Sequence, residues 1–452
     1  MTTTTVFTSK RVLLPNEADA IPATIEVSRD GKITRIVRGH ASRDAYGGDV
    51  EFIDAGTRTI LPGLVDSHVH LNEPGRTEWE GFTTGTRAAI TGGVTTVVDM
   101  PLNSIPPTTT VEGLRAKREA AKGQCFSDVA FWGGVVPGNQ GELRQMVKEG
   151  VRGFKCFLCE SGVEEFPCVN EDDLKKCLEE LKETPAVLLF HAELDNHQPL
   201  KEGDSTQYST FLASRPDSLE FDAIELVRSL HEAFPTVPKH IVHLSASRAL
   251  PLLDGVRNLT AETCFHYLTL APRAFSDAST GQPHFKCCPP IRDTANADAL
   301  WDALRAGRIA CVVSDHSPCV AELKRLADGD FMKAWGGISS LGLGFSVMWA
   351  ECQRRGVGLA ELVKWMSVRP AQIARLDDRK GSLAVGMDAD LAFWDLDAQW
   401  TVDKSALHFK NRLSPYEGLS VRGIAERVYL RGRLVWDQET QFAGLPAQGI
   451  LL

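Results

Sequence analysis

No stretch of this 452-residue chain approaches the ~18 consecutive apolar residues of a membrane span, and its first twenty residues lack the apolar core of a secretion signal. Basic charge is in short supply. Lys and Arg number 49 against 59 Asp and Glu, a formal net charge of −10, and no basic run stands out. General binding to nucleic acid or to an anionic membrane needs a positive face, so neither is an expected partner. Short-period repeats and low-complexity segments are missing as well. The cysteines are eleven, an odd number, lying between Cys125 and Cys352, so they cannot all pair; a chain this long needs no disulfide framework. The expectation is a reducing, cytoplasmic setting, in which the sequon at Asn258 is idle. The C-terminal Gly-Ile-Leu-Leu is not a peroxisomal Ser-Lys-Leu address.

What is present is ordinary globular material, with 43% apolar and 24% charged residues, which argues against wholesale disorder. At about 150 residues per domain the length suggests three, but a single barrel can take ~250 residues or more. Residues 1–57 read as strands: 24–27 and 33–37 alternate apolar and polar, with Asp30-Gly31 between them as a hairpin signal. Residues 382–452 share that rhythm, at 389–394 and 428–436. The middle, 58–381, instead alternates short apolar runs with helical patterns. Its candidate strands are 60–66, 94–99, 128–135, 151–157, 186–191, 240–244, 259–267 and 309–314, and its helical patterns include 79–90, 171–184, 222–234 and 298–306. Eight strands close a (β/α)8 barrel, the fold class expected here.

A barrel builds its active site at the C-terminal ends of its strands. His68 and His70 end the first strand two residues apart, so both imidazoles face one way. Lys155 lies in the fourth strand, His191 and His243 close the fifth and sixth, and Asp315 follows the eighth. Singly, a histidine can be a core hydrogen-bonder, Lys155 a snorkelling lysine and Asp315 a loop cap. Together they converge on one face, as scattered structural residues would not.

Lys155 needs its own account, because an ammonium has no lone pair to give a cation. Burial and neighbouring cations favour the neutral amine, which adds carbon dioxide to become a carbamate with two oxygens, enough to bridge two metals. Two divalent ions give +4, and carbamate, Asp315 and a bridging hydroxide give −3; the residual +1 suits a tetrahedral oxyanion. On this scheme His68 and His70 share one ion with Lys155 and Asp315, while His191 and His243 share the other with Lys155. Zn2+ suits such donors, as do Co2+, Mn2+ and Fe2+. A bridging water of lowered pKa, with Asp315 to carry the proton to a leaving nitrogen, describes amide or ester hydrolysis and equally a deamination.

The set resembles the amidohydrolase superfamily, within its cyclic amidohydrolases, and most of all the allantoinases among them. The stretches that carry the likeness are LPGLVDSHVHLNEPGRTEWEG at 61–81, VDMPLNSIPPT at 98–108, GFKCFLCESG at 153–162, WGGISSL at 335–341 and KNRLSPYEG at 410–418, so it runs over nearly the whole chain. The resemblance implies a barrel with a composite β-sandwich made by both ends. It implies two metal ions on His68, His70, Lys155, His191, His243 and Asp315, with Lys155 carboxylated. The implied activity is opening of the hydantoin ring of allantoin to allantoate in purine breakdown, by a homo-oligomer, often a tetramer.

Residue 72 bears on substrate. Dihydroorotases carry Arg there for a substrate carboxylate, whereas Asn72 suits a neutral hydantoin ring or shapes the turn that follows. Cys288 falls where relatives contact the ring through backbone groups. The segment after Lys155 differs from that of hydantoinases and dihydropyrimidinases, which remain the alternative together with a non-catalytic scaffold of the same fold. Phe265 stands where relatives often have Pro, His266 is expected to support the site from behind, and His316 and the Cys156/Cys159 pair are expected to be structural.

Overall fold

The computed structural model describes residues 3–195, 203–276 and 279–452. The first stretch forms β1 (Thr3–Val12), β2 (Ile21–Ser28), β3 (Ile33–Arg38), β4 (Glu51–Asp54) and β5 (Thr59–Pro62). The Asp30-Gly31 turn joins β2 to β3 as antiparallel neighbours, with Gly31 at φ +80°. The other end supplies β15 (Leu391–Thr401), β16 (Ser420–Leu430) and β17 (Arg433–Asp437). All eight form one sheet in the order β17-β16-β15-β5-β1-β2-β3, with β4 paired to β1. β5 is the hinge of this composite, parallel to β1 and antiparallel to β15. The sheet folds back on itself: the rings of Phe7 on β1 and Tyr429 on β16, strands that do not pair, are 4.9 Å apart.

Between these ends lie the barrel strands β6 (Leu64–Val69), β7 (Val94–Asp99), β8 (Asp128–Phe131) continued by β9 (Gly133–Gly134), β10 (Gly153–Phe157), β11 (Val187–His191), β12 (Lys239–Ile241), β13 (Leu259–Cys264) and β14 (Cys311–Val313). Every pairing among them is parallel. Counting β8 and β9 as one strand gives eight. The ring closes where the His70 amide donates to the His316 carbonyl at 2.9 Å, beside a parallel bridge between Val69 and His316. These strands are buried along nearly their whole length, which is why they read as apolar runs and not as alternations. Glycine at 133 is required by close approach, since a Cβ there would lie 2.6 Å from the Phe154 ring.

The stretch expected as one strand over 60–66 is two. Gly63 separates β5, in the composite sheet, from β6, in the barrel; its amide donates to the Asp390 carbonyl at 2.8 Å, and Thr95 packs where a Cβ would be. Helix ends also move. The first runs Phe82–Thr91, because Gly81 adopts φ +108° and donates to the Leu71 carbonyl, holding 79–81 outside the helix. Helix Glu171–Leu181 is capped by Asn170 with Asp173 and buries Leu174, Leu178 and Leu181 on one face. Helices Asp217–Ala233 and Thr294–Arg305 begin earlier than their apolar patterns; Asp293 caps the latter by accepting from the Asn296 amide.

Where the barrel floor meets the sheet, Lys380 is buried against Asp128, Asp388 and Asp390, the last two at 2.8 Å. Arg431 pairs with Asp128, while Lys32 and Arg379 pair with Asp388 at 2.7 and 2.9 Å. All eleven cysteines are free thiols, and among the described residues no helix is long and apolar enough to cross a membrane.

Candidate metal centre

His68, His70 and Asp315 meet at the barrel mouth with ligand atoms within 4.8 Å of one another. Asp315 Oδ1 lies 3.1 Å from His68 Nε2 and 3.4 Å from His70 Nε2. The His243 ring is 5.3 Å from that of His68 and 4.6 Å from that of His191, so the four imidazoles form one cluster. Lys155 is buried beneath them, its Nζ 5.2 Å from the centroid of the Phe157 ring, which stacks on His191. His243 and Asp315 sit just past strand ends at φ +39° and +43°, a left-handed region that costs a residue with a Cβ about 1–2 kcal/mol. Such strain is found where function over-determines the backbone.

The electrostatics of the cluster follow from burial opposed by pairing. Burial brings the Lys155 ammonium down to about 8, against the pull of Asp315 and Glu262, so a neutral amine is accessible near physiological pH. Burial brings His70 to about 4, and burial with the Lys155 charge holds His243 well below the usual imidazole range. Burial would raise Asp315, yet the charge of His68 and the hydrogen bonds of His68 and His70 hold it far below an ordinary carboxylate. Burial lowers His191 as well, whereas at His68 burial is outweighed by the charges of Asp315 and Glu262, which raise it. With an ion displacing that proton, the imidazoles, the ionised carboxylate and a lysine near its own titration point form a donor set that fits divalent cations.

Several neighbours that the sequence reading passed over orient these groups. Glu262 on β13 places Oε1 2.5 Å from His68 Nδ1 and Oε2 3.1 Å from His240 Nε2. Glu193 approaches His191 Nε2 at 2.8 Å and is held by Arg215. The Asn103 amide is 3.3 Å from His70 Nδ1, and its Oδ1 has no partner among the described residues; turning the amide over gives Nδ1–H an acceptor and leaves Nε2 free to ligate. The signal for Glu262 was there to read: the one charged residue of the strand Leu259–Cys264, two residues from Thr260 and so on the same face. Glu193 likewise sits two residues beyond His191.

His266 is buried, with no partner for either ring nitrogen among the described residues, and it groups with Cys264 and Asp315. His316 is turned elsewhere, its Nε2 at 3.1 Å from Glu80 and its Nδ1 accepting from the Ser340 and Leu341 amides. Phe265 opens a helical turn, Phe265–Thr269, a first position that proline would also tolerate. Cys156 is buried with its thiol donating to the Leu189 carbonyl, whereas Cys159 is half-buried.

A cavity of about 400 Å³ opens beside His191, lined by Phe157, Arg215, Lys286, Cys288 and Trp335, and a neighbouring one of about 300 Å³ shares Arg215, Lys286 and Cys288. Lys286 Nζ donates to the carbonyls of Met332 and Ala334, at 3.0 and 2.7 Å, and pins the loop that walls the cavity. Gly336 is needed there, since a Cβ would lie 2.8 Å from Cys288 Sγ. Asn72 lines neither cavity: it is fully buried at φ +63°, its Nδ2 donates to the Pro318 carbonyl at 3.3 Å, and its Oδ1 has no partner among the described residues. A larger hollow of about 1020 Å³ lies in the composite sheet, among Glu51, Arg427 and Asp437, and contains none of the clustered histidines.

Comparison with known proteins gives the same picture. The chain is 50% identical over 405 residues to an allantoinase of Saccharomyces cerevisiae, covering 87% of this chain and 86% of that one. It is 45% identical over 442 residues to an allantoinase of Streptomyces avermitilis, covering 96% of each. Among solved structures, the L-hydantoinase (dihydropyrimidinase) of Arthrobacter aurescens superposes with a TM-score of 0.91 at 27% identity, over 100% of this chain and 99% of that one. The Amidohydrolase family matches residues 59–435, from the strand that leads into the barrel to the strands that close the composite sheet, and with that span and those relatives the chain belongs to the amidohydrolase family.

Proposed function

We propose that this chain is an allantoinase, hydrolysing the cyclic amide of the hydantoin ring of allantoin to give allantoate. The observation that carries the reading is identity of 45–50% to allantoinases over most of the chain, together with retention of all six candidate ligands, His68, His70, Lys155, His191, His243 and Asp315, at one mouth. In this reading His68, His70 and Asp315 would hold one divalent ion and His191 and His243 a second, with Lys155, as its carbamate, a ligand available to both. The nitrogen and oxygen donors suit Zn2+, with Co2+, Mn2+ and Fe2+ as alternatives. The bound pair would supply Lewis acidity, lowering the pKa of a shared water and polarising the ring carbonyl.

The chain's own residues do the rest. Asp315, ionised and hydrogen-bonded at the mouth, accepts the proton of the attacking water and returns it to the ring nitrogen as the C–N bond breaks. The cavity beside His191 holds the ring, with Cys288 on its wall in contact through its backbone. Asn72, buried outside that cavity with its Nδ2 on the Pro318 carbonyl, shapes the turn that follows it, the second of the two roles its position suggests. Eleven free thiols suit a reducing compartment, the cytoplasm in this reading, and a homotetramer is the assembly that the likeness implies.

The test compares kcat/KM for allantoin, hydantoin, dihydrouracil and dihydroorotate on protein reconstituted with Zn2+ and bicarbonate. Allantoin should lead by at least about tenfold, ~1.4 kcal/mol of transition-state preference. A lead by hydantoin or dihydrouracil would favour the second reading, for which the superposition on the L-hydantoinase speaks.

A further inference from the structure

An imidazole that binds a metal must offer a lone pair on the nitrogen facing the ion, so its single proton must be held on the other nitrogen. A carboxylate oxygen only accepts, so wherever an ionised carboxylate meets a ring nitrogen, that nitrogen carries the proton. Two buried carboxylates do this at the mouth. Glu262 Oε1 lies 2.5 Å from His68 Nδ1 and Asp315 Oδ1 lies 3.1 Å from its Nε2; when an ion enters between His68 and Asp315, Nε2 gives up its proton and Nδ1, on Glu262, keeps the one that remains. Glu193 Oε2 lies 2.8 Å from His191 Nε2, which leaves the lone pair on Nδ1. The two histidines thus present opposite nitrogens, for reasons that come from their neighbours.

The two clamps are anchored differently. Glu262 also takes His240 Nε2 at 3.1 Å, and His240 Nδ1 meets the Thr260 hydroxyl at 2.7 Å, in register across β12 and β13. That chain runs down the barrel interior towards its floor. Glu193 is tied instead to Arg215, whose side chain reaches the substrate cavity beside Cys288 and Lys286, and its Oε1 has no partner among the described residues.

We propose that Glu262 and Glu193 are the positioning residues of the two metal sites, Glu262 setting the tautomer of His68 and Glu193 that of His191, with Arg215 tying the second clamp to the substrate cavity. This rests on the two-metal reading of the mouth. Each carboxylate adds a negative charge just outside the ligands, and that of Glu193 is shared with Arg215.

The test is chelator competition with Zn2+ on the full chain, wild type against Glu262→Gln, Glu193→Gln, the double variant and Arg215→Gln, with the melting temperature of each metal-free protein measured alongside. Glutamine keeps the volume and removes the charge. Wild type should release two Zn2+ in two steps. Each single glutamine variant should weaken a different step by about 10–100-fold, and the double variant should weaken both. Arg215→Gln should move the same step as Glu193→Gln by a smaller factor and raise KM more than it lowers kcat. Glu262→Asp and Glu193→Asp, which restore the charge, should recover part of the affinity even where a glutamine variant folds poorly. Wild-type Zn2+ affinity in folded glutamine variants, or both substitutions moving the same step, would overturn the proposal. A lowered metal-free melting temperature with unchanged affinity would reduce both residues to a structural role. Failure of the wild type itself to hold two Zn2+ would overturn the two-metal reading underneath.

Discussion

Two lysines are buried at opposite ends of this barrel, and their surroundings push them in opposite directions. At the floor, burial would lower Lys380, but Asp390, Asp128 and Asp388 crowd it and raise its pKa above the ordinary lysine range. At the mouth, Lys155 sits among four histidines with Asp315 and Glu262 as its nearest carboxylates, and burial wins, bringing it to about 8. The three floor aspartates could by themselves hold a cation, but Lys380 already occupies that place. The mouth is left short of partners: His243 Nδ1, both nitrogens of His266, Asn72 Oδ1 and Glu193 Oε1 are buried without one among the described residues. A buried charge cluster that pairs itself is a fastening; one that leaves donors and acceptors open is a site waiting for ions and substrate.

The sharpest way to break this contrast is at Lys155. Lys155→Ala should cost at least about a thousandfold in turnover, ~4 kcal/mol of transition-state stabilisation, with bound metal lost. Short carboxylic acids that replace the carbamate should restore part of it; near wild-type turnover without them would remove the bridging role. Next comes Asp315→Asn, expected to lower kcat by about 10²–10⁴-fold with metal content retained, which turnover and metal analysis on the same sample would check.

The floor should respond in stability and not in chemistry. Lys380→Met leaves three buried carboxylates short of their common partner and should destabilise the fold by about 3–5 kcal/mol in denaturant unfolding. Under conditions where that variant is folded, kcat/KM should match wild type; a loss of turnover per folded molecule would erase the distinction between the two ends.

pH separates the two lysines by sign. Lys155 in the metal-free protein has a folded pKa of about 8 against the ordinary lysine value of 10.5, so between those values the unfolded chain binds more protons than the native one. Its contribution makes stability rise with pH across that window and is flat below about 8, where both states are protonated. Lys380 is raised, so its contribution is fully present below the unfolded value and is lost as pH climbs through the folded one. Urea unfolding of metal-free wild type and Lys155→Met over pH 7–10 should show a steeper rise in the former, since Lys239, also brought to about 8 by burial, contributes equally to both. The smallest effect is expected at Cys288: if its contact with the ring is through backbone, Cys288→Ser should keep kcat/KM within about twofold, ~0.4 kcal/mol.

Much of this was legible in the chain. The barrel strands are continuous apolar runs because both faces are buried, and such runs can be read without coordinates. The six candidate ligands could be named because each stands at or near a strand end, where a barrel collects its polar groups. The boundary at Gly63 was not legible: the apolar pairs Ile60-Leu61 and Leu64-Val65 stand on either side of it, and only pairing with β1 and β15 assigns the first to the composite sheet. Helix starts were missed where a cap such as Asp293 or a glycine at positive φ, and not the apolar pattern, decides the end.

By itself, then, the sequence determined the kind of fold and the chemistry-bearing set, since burial patterns and residue types are local properties of the chain. Only the tertiary structure decided how that set is held. Glu262 lies 194 residues from His68, and Lys380 lies 252 from Asp128. Which nitrogen of an imidazole is protonated, and whether a buried lysine is raised or lowered, depends on the groups that folding brings within a few ångströms, and distance along the chain carries no trace of that.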